Sequence, residues 1–131
     1  MNQFIEKLRS LENEISKEKG KFSLFALFLR EDAADKWDLV VSAPWLMENQ
    51  KEALDYLAKQ LRDHLDDQEL LSLSRIIFID EGDPRSEAIC QAIGRAIRIE
   101  HGIAEVKDSI FFGLEIKHAF IITSAPCNRA A

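Results

Sequence analysis

The stretch Ile76-Ile77-Phe78-Ile79 sets four apolar residues in a row, and Asp80-Glu81-Gly82-Asp83-Pro84 follows at once. An apolar run with no polar alternation reads as a strand buried on both faces, the pattern of a central strand in a covered sheet. The turn behind it ends on Asp83 and Pro84, a helix cap and the first helical position that proline favours. Strand, acidic loop and helix in that order predict an α/β arrangement. Any small-ligand site is then expected at the carboxyl end of the strand.

The rest of the chain fits the same class. Phe4, Leu8, Leu11 and Ile15, with Ile5 beside them, recur at helical spacing and predict an amphipathic helix over 2–19 that stops at Gly20. Residues 22–30 form an apolar strand, a charged turn follows at 31–36, and 37–43 form a second strand. So short a connection predicts an antiparallel hairpin, which Pro44 terminates. A helix follows at about 48–65, with Leu54, Leu57, Ala58, Leu61 and Leu65 as its stripe. Asp67 is then the expected cap of a short turn through Leu70 and Leu71. After the strand at 75–80, a helix is expected from Pro84 to His101-Gly102, with Ile89, Ala92, Ile93, Ala96 and Ile97 inward. Ile103–Val106 reads as an edge strand. Leu114, Ile116, His118, Phe120 and Ile122 alternate with Glu115, Lys117, Ala119, Ile121 and Thr123, a strand with one buried face.

The expected fold is therefore α/β, on the border of α+β. It has a mixed sheet of four to five strands, an N-terminal antiparallel hairpin, then a β-α-β crossover from 75 to 123, and helices packed on the sheet. Residues 1–124 read as one globular domain and 125–131 as a flexible tail.

Composition narrows the setting. The 131 residues are 47% hydrophobic, enough to bury a core without disulfides or metals. A net charge of −6 disfavours nonspecific nucleic-acid binding. Two cysteines, Cys90 and Cys127, predict a reducing compartment. With no basic-then-apolar leader and no apolar run near membrane length, a cytoplasmic location is expected.

The dinucleotide, P-loop and serine-hydrolase motifs are absent, and His64, His101 and His118 stand far apart in sequence. The acidic loop is the first site candidate. Asp80 and Glu81 offer oxygen ligands to a hard cation such as magnesium. Glu81, Asp83, Arg85 and Ser86 surround a helix start that suits an anion bridged by that cation. The bland alternative is a strand end and an Asp83 helix cap.

Glu115-Ile116-Lys117 is the second candidate. It resembles the half-motif of the PD-(D/E)XK nucleases, which implies a metal-ligating acid and a lysine near the attacked phosphate. With 23 acids, chance alone supplies one or two acid-x-Lys triplets, and Glu105-Val106-Lys107 is another. His118, on the apolar side of its strand, reads as a hydrogen-bonded core residue, Cys90 as a small core hydrophobe and Trp45 as a hinge tryptophan packed on the core.

Three functions follow. The first is a binding domain, homo-oligomeric or with a protein partner, joined through the helix at 2–19 or an edge strand and using no cofactor. The second is a metal-dependent phosphoryl-transfer enzyme or nuclease using Asp80, Glu81, Glu115 and Lys117. The third is a small-ligand or nucleotide sensor at the loop after residue 80.

Overall fold

The computed structural model describes residues 2–30, 36–79, 98–100, 103–111 and 114–124. The chain forms α1 (Asn2–Glu18), β1 (Leu24–Arg30), β2 (Trp37–Ser42), α2 (Pro44–Glu48), α3 (Gln50–His64), α4 (Asp67–Ser72), β3 (Leu73–Phe78), β4 (Arg98–Glu100), β5 (Ile103–Phe111) and β6 (Leu114–Ser124). The six strands make one mixed sheet in the order β3-β2-β1-β6-β5-β4. It is an α/β fold with helices on the sheet, one strand larger than the upper expectation.

The hairpin forms as its spacing predicts, with Leu24 opposite Ser42 and Leu29 opposite Trp37. β1 is the strand buried on both sides. Phe25, Leu27 and Leu29 join the helix-side cluster, whereas Leu24, Ala26 and Phe28 join a second cluster on the reverse face. α1 lays Phe4, Ile5, Leu8, Leu11 and Ile15 into the first cluster, and α3 adds Ala53, Leu57 and Leu61. The described helices contribute no residue to the reverse cluster.

Local chemistry sets the helix ends. Lys19 and Gly20 donate backbone N–H groups to the Ile15 and Ser16 carbonyls at 2.8 and 3.1 Å, closing α1. Gly20 takes φ +132°, a conformation that side-chain-bearing residues avoid. Trp45 Nε1 donates to the Gly20 carbonyl at 3.1 Å, and a Cβ on Gly20 would stand 3.2 Å from Trp45 Cδ1. Trp45 therefore packs at the hinge, against Phe22 and Tyr56. Pro44 both ends β2 and opens α2. Asn49 caps α3 by accepting from Glu52 N–H at 3.2 Å.

Several expectations are corrected. β3 is not central. Among the described residues it is the last strand of the sheet, parallel to β2, and Phe78 is half-buried against the core. A short apolar run marks a strand but not its place in the sheet, and β1, with its longer run, takes the middle. The parallel crossover runs from β2 through α2, α3 and α4 to β3; β3 and β6 are separated by β2 and β1. The cap of α4 is Asp66, not Asp67. Its Oδ1 accepts from Glu69 N–H at 2.8 Å, and Glu69 Oε1 accepts from Asp66 N–H at 2.9 Å. Such a reciprocal box needs an acid or amide three residues on, which Asp66 has in Glu69 and Asp67 lacks in Leu70.

Leu54 is 43% exposed, and Ala53 takes its place in the buried stripe. Arg98–Glu100 is a strand paired with β5, not the end of a helix, and β5 is an inner strand of nine residues. The expected helix over 84–97, the 31–35 turn, Cys90, Cys127 and the 125–131 tail lie outside the described residues.

Three substitutions test this placement by urea denaturation. Phe25→Ala, at a fully buried centre, should cost about 3–5 kcal/mol, and Phe78→Ala at the half-buried edge clearly less. Gly20→Ala should destabilise by more than about 1 kcal/mol, through backbone strain and the contact with Trp45.

Candidate functional site

The most structured polar constellation among the described residues sits where β6 leaves the helix-covered part of the sheet. Trp37, Leu29, His118 and Lys107 form one row across β2, β1, β6 and β5. Leu39, Leu27, Phe120 and Glu105 form the next. His118 Nε2 lies 2.6 Å from Glu105 Oε2, and both side chains are partly open, at 23% and 17%. The His118 ring tilts over Phe120 at 4.6 Å and stands 5.9 Å from Trp37. Trp37 lies 5.7 Å from Phe120, closing an aromatic triangle.

A bulge aims the histidine. Leu29 pairs with His118 but Arg30 pairs with Ile116, so Lys117 is an extra residue on β6. The strict alternation expected of 114–123 breaks there. Ile116 is buried in the reverse cluster with Ala119 and Ile121, whereas Phe120 and Ile122 pack on the helix side. Bulges of this kind redirect a side chain and recur beside sites. His118 is hydrogen-bonded, as a core histidine would be, but it is reachable from solvent.

Asp38 is a second buried polar residue. It is 2% exposed on an inner strand, and its Oδ2 lies 3.2 Å from Nε of half-exposed Arg75. β3 supplies Arg75 directly opposite Asp38. Asp38 was visible in the sequence as the one charge in the strand Trp37–Ser42.

The sequence-derived candidates do not form a joint site among the described residues. Glu115 and Lys117 are exposed on β6. Asp80, Glu81, Asp83, Arg85 and Ser86 lie outside the described residues. Phe78, Val41, Phe25 and Thr123 form one row, and Ile79 N–H donates to the Val41 carbonyl at 2.9 Å. Thr123 is eight residues from Glu115 along β6, roughly 26 Å at the rise of a strand. No group of three His, Cys, Asp or Glu residues suited to a metal ion occurs among the described residues. No helix among them is long and apolar enough to cross a membrane.

At the other end of the helical layer, Tyr56 Oη donates to Glu18 Oε2 at 3.0 Å, and Lys19 Nζ sits 4.9 Å over the Tyr56 ring. Burial, and next the hydrogen bond to Glu18, push the Tyr56 phenol up to about 12. These groups join α1 to α3.

No protein-family model, no curated protein and no solved structure matches this chain.

The Tyr56 environment has a measurable sign. The folded state holds the proton above the ordinary tyrosine range near 10, so its contribution to stability is complete below that pH. It should be lost as pH rises from about 10 to about 12. Phenolate absorbance should place the Tyr56 midpoint above that of free tyrosine, and Glu18→Gln should lower it.

Proposed function

We propose that this chain is a small cytoplasmic domain that acts by binding, as a homodimer joined through the β3 end of its sheet. The observation that carries this reading is the apolar surface at that end. Leu71 is 68% exposed, and Leu73, Ile76 and Phe78 beside it are only half-buried. β3 has no strand on its outer side among the described residues. A strand edge presents backbone N–H and C=O groups in a row, and an added strand satisfies them. The other expected contact, α1, has its apolar stripe inside its own core and offers no coiled-coil seam.

The edge also limits how a copy can add. Trp37 pairs with Leu73 but Asp38 with Arg75, so Ser74 is bulged out of register. The bulge and the Arg75 charge disfavour pairing in the first half of the strand. Ile76, Ile77 and Phe78 remain. About a two-fold axis through Ile77, Ile76 of one copy lies opposite Phe78 of the other, and both sit on the helix side of the sheet. Such a contact uses the same patch twice and closes at two copies.

Light scattering across micromolar concentrations should give twice the 15.0 kDa chain mass. Leu71→Glu with Ile76→Lys should return the single-chain mass with the far-ultraviolet circular dichroism intact. A wild-type mass of 15.0 kDa at every concentration ends the dimer reading.

A further inference from the structure

One flank of α3 is left open by the packing of the helical layer. α1 lies along one side of α3, where Tyr56 Oη meets Glu18 at 3.0 Å and His64 Nε2 lies 3.3 Å from Glu14. Ala53, Leu57 and Leu61 go into the core. At about 100° per residue, Leu54 stands roughly 160° around the helix from Tyr56, on the side away from α1. Leu54 is 43% exposed, and with Leu71 it is one of two large apolar side chains so exposed among the described residues. Lys51 and Asp55, both exposed, flank it, and half-buried Ala58 follows one turn on.

That flank overlooks the β3 end of the sheet. α3 belongs to the parallel crossover from β2 to β3 and lies over those two strands. α1 shares its cluster with Ile103 of β5 and Ile122 of β6, toward the other end. We propose, resting on the homodimer joined through β3, that α3 also packs against α3 of the second copy. Leu54 meets Leu54 across the two-fold axis, and Lys51 of each copy stands beside Asp55 of the other.

Strand geometry sets the distance. For an added antiparallel strand the axis runs normal to the sheet, about 2.4 Å outside β3, which is half the strand spacing. α3, seated over the β2–β3 pair, then stands about 5 Å from the axis, and the two helices run about 10 Å apart, within reach of helix packing. The level agrees as well. Ile77 lies near the carboxyl end of β3, and α3 runs antiparallel to β3, so its N-terminal half, with Leu54, is level with the axis. Helices that face each other across this axis are antiparallel, which sets lysine against carboxylate twice. The small Ala58 side chain keeps the approach open. The contact carries the apolar surface of Leu71, Ile76 and Phe78 up into the helical layer.

The test uses the whole chain with Cys90→Ser and Cys127→Ser. Leu54→Cys in that background should form an intermolecular disulfide on mild oxidation, since packed helices bring facing Cα atoms to about 5–7 Å, near the disulfide range. Asp63→Cys, on another side of α3, should not. By sedimentation at low salt, Lys51→Glu should weaken the dimer about three- to tenfold, and adding Asp55→Lys should restore it. A dimer of unchanged strength in Leu54→Glu, with no disulfide in Leu54→Cys, overturns the helix contact and leaves the β3 edge reading standing. A parent chain of 15.0 kDa at every concentration ends both.

Discussion

Burial of β1 on both sides is the constraint from which the sheet follows. Phe25, Leu27 and Leu29 point to the helices, and Leu24, Ala26 and Phe28 to the reverse face, all within 8% exposure. Burying each large side chain contributes about 1.5–3 kcal/mol, so a chain that left either face of this strand in water would forgo much of its driving force. Such a strand cannot stand at an edge. It needs a neighbour on each side, one of them β2 through a local hairpin and the other β6 from the far end of the chain. The N-terminal and C-terminal parts of the sequence are thereby held in one sheet, and the helices α1 and α3 close one side of it.

Asp38 and His118 both interrupt these apolar rows, with different consequences. Asp38 is nearly sealed, and Arg75 from the neighbouring strand stands against it. Removing a charge from water without such a partner costs several kcal/mol, so the pair reads as a requirement of placing β3 beside β2. His118 is also paired, but the bulge at Lys117 leaves it at the open end of the helix-side face. Both pairs join neighbouring strands, but only in the second are both side chains partly open.

The elements that rest on local periodicity were legible in the sequence. The stripe Phe4, Leu8, Leu11, Ile15 fixed α1 and its buried side, and the short charged connection fixed the hairpin. What was not legible depends on non-local pairing. Ile76-Ile77-Phe78-Ile79 has the composition of a central strand, and only the competition with β1 for the middle of the sheet makes it an edge. The 98–100 segment continues a helical-looking pattern, and pairing with β5 makes it a strand. His118 was seen as a lone histidine because its partner Glu105 lies on another strand, thirteen residues away. Charge-motif counting drew attention to Glu115 and Lys117, which alternation itself placed on the wet face.

The β3 end of the sheet is fixed in place by contacts from the helical layer. α4 leads straight into it, held by the reciprocal cap of Asp66 and Glu69 and by Lys7, whose Nζ reaches Glu69 at 2.8 Å from α1. That contact raises the Lys7 pKa through its hydrogen bond to Glu69, but a pair still open to solvent contributes little stability. Its consequence is positional, since it sets α4 against α1 and so sets where β3 begins. Lys36 donates to the Leu71 carbonyl at the same junction, tying it to the start of β2. With Leu73 anchored there, the bulge at Ser74 and the charge on Arg75 fall at fixed places along the edge. An edge with a free register admits many pairings and grows; one whose start is anchored and whose first half is blocked admits few. The half-buried row of Ile76 and Phe78 therefore lies in the part of β3 where, among the described residues, the register is regular.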